Sequence, residues 1–229
     1  MIVQLSKRES NSQIHTNERV GHDRRPQHRA TITSVILEAP DRAAAESFYA
    51  SAFGLGSTVA VRSSQAPTSG FRGFTLSLVV SQPSVVDSLI GTALDGGATT
   101  LKPPSKSFWG YGGVVQAPDG AIWKVATSSK KDTGPASRRV DEVVLLLGVA
   151  DVKASKRFYV ERGLTVAKSF GSKYVEFDTS AGGIKLGLYT RRAAAKDAGV
   201  AADGSGSHRI VIAGSASFAD PDGFVWEAA

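Results

Sequence analysis

The sequence predicts an α+β protein made of one unit used twice, with curled mixed sheets. Three observations lead there. The stretch Ala117-Pro118-Asp119-Gly120-Ala121-Ile122-Trp123-Lys124 returns as Asp220-Pro221-Asp222-Gly223-Phe224-Val225-Trp226-Glu227. Upstream, Phe48-Tyr49 followed by Gly54-Leu55 returns as Phe158-Tyr159 followed by Gly163-Leu164. Internal repeats of this kind define the architecture before any local reading does. Finally, each copy reads strand, helix, then strands, with no Gly-x-Gly-x-x-Gly or Walker turn after any strand, which argues against a nucleotide-binding alternation and for α+β.

The elements follow in order. Thr31 to Ala39 is rich in Val, Ile and Leu and reads as a strand. Asp41 can cap a helix running to Gly54. Ser57 to Val61 is a short strand, Ser63 to Gly73 a loop, and Phe74 to Val80 a strong strand. Pro83 to Leu94 is helical, with Val85, Val86, Leu89 and Ile90 on one face and Gly96-Gly97 ending it. Pro103 to Gly113 is expected to be a loop carrying Phe108, Trp109 and Tyr111, and Ala121 to Ala126 the closing strand after a Pro-Asp-Gly turn.

Lys130 to Arg139 holds nothing to bury and reads as a linker. The second copy opens with the strand Val140 to Leu147, then a helix over roughly Val152 to Arg162 and strands at 164–169, 173–178 and 183–189. Arg191 to Ser207 is an Ala- and Gly-rich excursion with room for one helical turn, followed by strands 208–213 and 224–228. The helix that occupies 83–94 in the first copy has no counterpart between these last two strands. The expected organisation is therefore a disordered basic tail (1–30), a first domain (31–129), a linker (130–139) and an abbreviated second domain (140–229).

Composition bounds the function. With 229 residues, 41% hydrophobic and 21% charged, the chain suits two globular domains of about 100 residues each. It contains no cysteine, which excludes disulfides, thiolate metal sites and a Cys nucleophile. No run of about 18 apolar residues suggests a membrane span. The expectation is a cytoplasmic protein with neither a membrane nor a nucleic-acid partner. The net charge of +6 does not change this, because half of it sits in residues 1–30, where six Lys and Arg face three Asp and Glu. The folded part shows no basic helix or aromatic–basic ladder.

The helix ending Phe-Tyr…Gly-Leu, the segment Trp109-Gly110-Tyr111-Gly112 and the closing Asp-Pro-Asp-Gly-x-x-Trp-Glu together resemble the vicinal-oxygen-chelate superfamily, which includes glyoxalase I, bleomycin-resistance proteins and extradiol dioxygenases. The resemblance covers about residues 31–126 and 140–228. It implies tandem glyoxalase-like domains built from paired βαβββ modules whose sheets form cups. In metal-using members it implies His, Gln or Glu ligands on the first and last strands of the paired modules. Carried over, those positions fall on Ser34, near Thr75 and on Lys124 in the first copy, where an ammonium repels a cation. In the second copy they fall on Glu142, His208 and Glu227, with Gly187 empty.

Two classes of function follow from the resemblance, besides a non-catalytic interaction protein. One is a bleomycin-resistance-like binder that holds a small, planar or oxygen-bearing ligand against Trp109, Tyr111, Lys124 and Trp226. The other is a lyase or dioxygenase using one divalent Fe, Mn, Ni or Zn ion on Glu142, His208 and Glu227, with Glu227 and His208 taking part in catalysis. Each residue also has a plainer reading. His208 follows Gly204-Ser205-Gly206-Ser207 and could belong to a surface loop. Glu227 could pair with Arg209 or Lys185. Lys124 could face a ligand, pair with a carboxylate of the other copy, or reach solvent. The protein is expected to be a monomer or homodimer, since modules of this family pair within or between chains.

Overall fold

The computed structural model describes residues 31–135, 137–179 and 182–229. The tail expected at 1–30 lies outside them. The first half contains β1 (Ile32–Ala39), α1 (Arg42–Ala52), β2 (Val59–Ser63), β3 (Thr68–Gly70), β4 (Phe74–Val79), α2 (Pro83–Asp95), β5 (Thr99–Ser107), β6 (Gly110–Gln116) and β7 (Ile122–Thr127). The second contains β8 (Glu142–Val149), α3 (Val152–Glu161), β9 (Val166–Phe170), β10 (Tyr174–Phe177), β11 (Lys185–Thr190), α4 (Arg191–Ala198), β12 (Gly204–Gly206), β13 (Ile210–Gly214), β14 (Phe218–Ala219) and β15 (Val225–Ala228).

Local chemistry explains most of these. Asp41 accepts from the Ala44 N–H at the start of α1, and Asp151 accepts from Lys153 and Ala154 at the start of α3. Pro83 sits in the first turn of α2, where its missing N–H costs nothing. The loop expected over Pro103–Gly113 is instead the hairpin β5–β6. Its two prolines are tolerated because β5 is the edge strand of its sheet and the pairing slips on both sides of Lys102, leaving no ladder bond to lose.

The sheets do not follow the repeat. An eight-stranded sheet runs β5-β6-β7-β4-β8-β11-β10-β9, and a five-stranded sheet runs β14-β15-β13-β1-β2. Each therefore takes strands from both halves, joined by β4–β8 in the large sheet and β1–β13 in the small one, both antiparallel. The expected boundary at 130–139 separates the copies in sequence but not the sheets in space. The working unit is a quarter of the chain: the second and third quarters make the large sheet, the first and last the small one.

Alternation along the strands divides the large sheet into two faces. One face carries Leu76, Leu78, Trp123, Val125, Leu145 and Leu147, and joins α1, α2, α3 and the inner face of the small sheet in the main core. The other carries Val114, Ile122, Val144, Leu146 and Tyr174, and is covered by Ala194, Ala195 and Ala198 of α4. The helical turn expected after Arg191 is thus a helix of eight residues, capped by the Thr190 hydroxyl and closed by Gly199 at φ 84°.

Within each half the two repeat motifs meet. The Tyr49 hydroxyl donates to Asp119 at 2.7 Å and the Tyr159 hydroxyl to Asp220 at 2.6 Å. Trp123 and Trp226 lie against these rings, with centroids 5.5 and 5.6 Å apart. The two aspartates are not equivalent in the repeat. Position 117 is alanine where the second copy has Asp220, so Tyr49 uses the aspartate of the turn itself.

Candidate functional site

One register row crosses six strands of the large sheet on the face beneath α4: Lys102, Val114, Lys124, Ser77, Val144, Lys185. Strand alternation turns all six side chains the same way. Two of the lysines grip the end of α4. Lys124 Nζ donates to both carboxylate oxygens of Asp197, at 2.8 and 3.1 Å, and Lys102 Nζ donates to the carbonyls of Lys196 and Asp197 at 2.8 and 2.7 Å. At the far end Lys185 pairs with Glu142 and lies 3.9 Å from Glu176. Glu176, itself buried, also receives the Tyr174 hydroxyl at 2.8 Å. Burial first, then the Glu176 charge, push that phenol well above its ordinary value.

Beside the end of α4 a cleft of about 230 Å³ opens on the same face, walled by Lys102, Ser105, Trp109, Gly112, Lys124 and Asp197. Trp109 stands at the β5–β6 turn with 40% of its surface exposed, edge-on to Phe108. Gly112 belongs here for a steric reason: a Cβ would come within 2.8 Å of the Val125 carbonyl oxygen. A larger cleft, about 590 Å³, lies under the linker between Phe53, Leu55, Arg138 and Glu142. Its Arg138 is spent on the Ser51 and Ala52 carbonyls and its Glu142 on Lys185, so those charges are already taken.

The small sheet has its own clasp. On its outer face Arg62 of β2 makes a two-pronged pair with Glu227 of β15, at 2.7 and 3.0 Å. The strand order puts β1 and β13 between them. Three strand steps are about 14 Å on a flat sheet, so the contact requires the sheet to curl. The Arg62 hydrogen bonds hold the Glu227 carboxyl below its usual range.

His208 lies just before β13 and is stacked on Phe224 with centroids 3.9 Å apart. Its Nδ1 faces the Arg72 carbonyl oxygen at 2.5 Å and its Nε2 the Asp222 carbonyl oxygen at 3.0 Å. The imidazole ties two loops of opposite halves together and has no nitrogen lone pair turned to a cavity. Arg209, beside it, is buried at φ 56° and donates to the Ser64 and Ala66 carbonyls.

Solved structures share this arrangement. Glyoxalase I from Zea mays superposes with a TM-score of 0.57 at 14% identity, over 86% of this chain and 91% of that one. A putative dioxygenase from Bacillus subtilis subsp. subtilis str. 168 superposes at 0.51 with 13% identity, over 84% of this chain and 71% of that one. The chain has the fold of glyoxalase I. No family model matches the sequence, and no curated protein does.

The positions that the resemblance singled out lie on strands that the observed pairing regroups. Thr75, Lys124, Glu142 and Gly187 share the large sheet; Ser34 and Glu227 share the small one, with His208 at its border. The triad implied by the resemblance is not brought together. Glu142 lies on a different sheet from Glu227, and Glu142, His208 and Glu227 are held by Lys185, two main-chain carbonyls and Arg62 respectively. Among the described residues no group of three or more His, Asp or Glu side chains is placed to hold a metal. At the expected positions the donor sets do not fit a divalent ion: those of the large sheet offer the ion-paired Glu142 and the Lys124 ammonium, those of the small one the Glu227 carboxylate already neutralised by a guanidinium.

Of the expected ligand-binding residues, Trp109, Tyr111 and Lys124 border the 230 Å³ cleft. The Tyr111 hydroxyl turns away, to Asp87 on α2 at 2.8 Å. Trp226 is fully inside the main core and does not reach the cleft. Sequence reasoning missed Arg62, Asp197, Lys102 and Ser77. The first two could not be found because their partners lie 165 and 73 residues away. Ser77 carried a faint signal, a small polar residue in the largely apolar strand β4, whereas Lys102 stands among the polar residues of β5 and carried none.

Proposed function

We propose that the protein binds a small planar, oxygen-bearing molecule in the cleft on the large sheet, between Trp109 and the Lys102–Lys124 pair. One observation carries this reading: the half-exposed Trp109 lines the same cleft as the ammonium groups of Lys102 and Lys124. The cleft is smaller than the ~300–1,000 Å³ pockets that hold drug-sized ligands, so the ligand is of about one ring. Both sheets are completed within one chain, which supports a monomer.

The experiment is tryptophan fluorescence against a panel of one-ring aromatic compounds. Trp123 and Trp226 are 0% and 2% exposed, so a saturable change that disappears in Trp109→Phe reports the cleft. If no member of the panel changes Trp109 emission, the reading fails and an interaction role takes its place. The metalloenzyme reading is tested alongside by metal analysis after incubation with Ni, Zn, Mn or Fe(II). One ion per chain, lost in Glu142→Ala or His208→Ala, would restore it; our expectation is no stoichiometric ion and no change in metal content on either substitution.

A further inference from the structure

Ser77 lies at the centre of the row, one strand away from Lys124. Its side chain is on the α4 face, it is 3% exposed, and its hydroxyl has no hydrogen-bond partner. A buried hydroxyl without a partner is costly, and a native structure that keeps one calls for a reason. Next to it the Lys124 ammonium is paired with an internal carboxylate, that of Asp197.

Asp197 is an awkward occupant. It sits in the last turn of α4, where the helix already carries partial negative charge, so a carboxylate there is disfavoured except for the two lysines. Arg191 anchors the first turn of the helix to the Ala202 and Phe71 carbonyls, but its far end, where Asp197 sits, relies on the two lysines. Eight residues are too few for independent helicity in water, and what it buries are the methyl groups of Ala194, Ala195 and Ala198. Elements with so little buried apolar surface open at small cost relative to the core.

We propose that the ligand of this cleft is a one-ring aromatic carboxylate, whose carboxylate replaces that of Asp197 on Lys124 and accepts the idle Ser77 hydroxyl, so that α4 is a built-in competitor of the ligand. This rests on the cleft being the binding site. Adjacent strands are about 4.8 Å apart, so a single carboxylate can span two side chains that are direct neighbours in register. Lys102, freed from the helix end, supplies the second positive charge. The ring lies against Trp109, whose flat face tolerates any one-ring acid.

The test compares benzoate with benzamide, its neutral isostere, at fixed ionic strength by Trp109 fluorescence and calorimetry. Benzoate should bind at least about tenfold tighter than benzamide, the effect expected for one charge-assisted hydrogen bond. Asp197→Asn should tighten benzoate by about tenfold by weakening the competitor, and Lys124→Gln should abolish the preference for the acid. Ser77→Ala should weaken benzoate by about tenfold while leaving thermal stability equal or higher, because it deletes an unpaired hydroxyl. Stability measured on each variant separates lost binding from lost fold. Equal binding of benzoate and benzamide that still depends on Trp109 would overturn the carboxylate and leave the cleft standing. Unchanged affinity in Asp197→Asn would overturn the competition. Binding of neither compound would sink the cleft itself.

Discussion

Replacing Tyr159 by phenylalanine removes one oxygen and separates the two Tyr–Asp contacts in energy. The hydroxyl donates to Asp220 Oδ2 at 2.6 Å and accepts the Trp226 indole N–H at 3.4 Å, all within the core. Asp220 Oδ1 is already held by the N–H groups of Asp222 and Phe224, so the carboxylate cannot turn to find another donor. The substitution therefore leaves a buried carboxylate oxygen and a buried indole N–H without partners. Hydrogen bonds to charged groups and the desolvation of orphaned ones place the loss at about 2–3 kcal/mol. For a chain of this length that is roughly 5–10 °C in melting temperature. Tyr49→Phe is the internal control: Asp119 is half-buried and water can replace the hydroxyl, so about 0.5–1.5 kcal/mol is expected. Burial raises the Asp220 carboxyl above the usual range, and the Tyr159 hydroxyl pulls it back. A raised carboxyl in the folded state means that its ionisation opposes folding, and that stability is recovered as pH falls from the folded value toward the unfolded one. Without the hydroxyl the folded value rises further, so the deficit of Tyr159→Phe should be largest at neutral pH and narrow on acidification. Urea unfolding at several pH values measures both. A deficit no larger than that of Tyr49→Phe, or one that widens at acid pH, would refute the account of Asp220 as an immobile, partly desolvated acceptor.

Three further outcomes are expected. His208→Ala should destabilise the protein by about 1–3 kcal/mol, from two lost contacts to main-chain carbonyls and a lost ring stack, and should expose segments 64–73 and 202–209, which hold the paired strands β3 and β12, to limited proteolysis without changing metal content. Gly148→Ala should cost about 1–3 kcal/mol by overpacking and displace α4, because a Cβ there would meet Ala194 Cβ and Arg191 Cα, each at 3.1 Å; proteolysis within 199–203 reads the displacement. A fragment ending at residue 129 should fail to fold, judged by circular dichroism and amide exchange, and the whole chain should unfold in one transition, since β4–β8 and β1–β13 pair the halves through both sheets.

How far the fold could be read from the chain depended on the range of the information. Asp41, Pro83 and Gly96-Gly97 act within four residues of themselves, and the helices they bound were legible. The repeat was legible too, because Tyr–Asp and Tyr–Trp contacts lie within one half and leave matching motifs in both. Which strands share a sheet was not legible. A hydrophobic strand such as Val144–Val149 presents the same pattern to β4 as it would to β13, and no local residue records the choice. The site suffered most from this. Glu142, His208 and Glu227 looked like a set only while the halves were taken as separate cups. Only one turn of α4 was expected, because an Ala-rich segment of eight residues has little periodicity; its helix is selected by the face it covers.

The opposite charges at Lys124 and Glu227 then take on a common physical sense. Both stand at the closing position of the repeat, and each is neutralised by a residue from the other half: Lys124 by Asp197, Glu227 by Arg62. A charge at this position faces away from the main core, beside the core-facing Trp123 or Trp226, where a ligand or a partner can reach it. At Glu227 the partner is bidentate and lies on the same small sheet, so the sheet's own curvature satisfies it. At Lys124 the partner rides on a short helix that buries little, beside a hydroxyl with no partner and a cleft with an exposed tryptophan. The two clasps differ in what releasing them would require: opening the first uncurls a sheet, whereas opening the second lifts two turns of helix. That asymmetry, more than the charge itself, makes the large sheet the face on which a small molecule can compete.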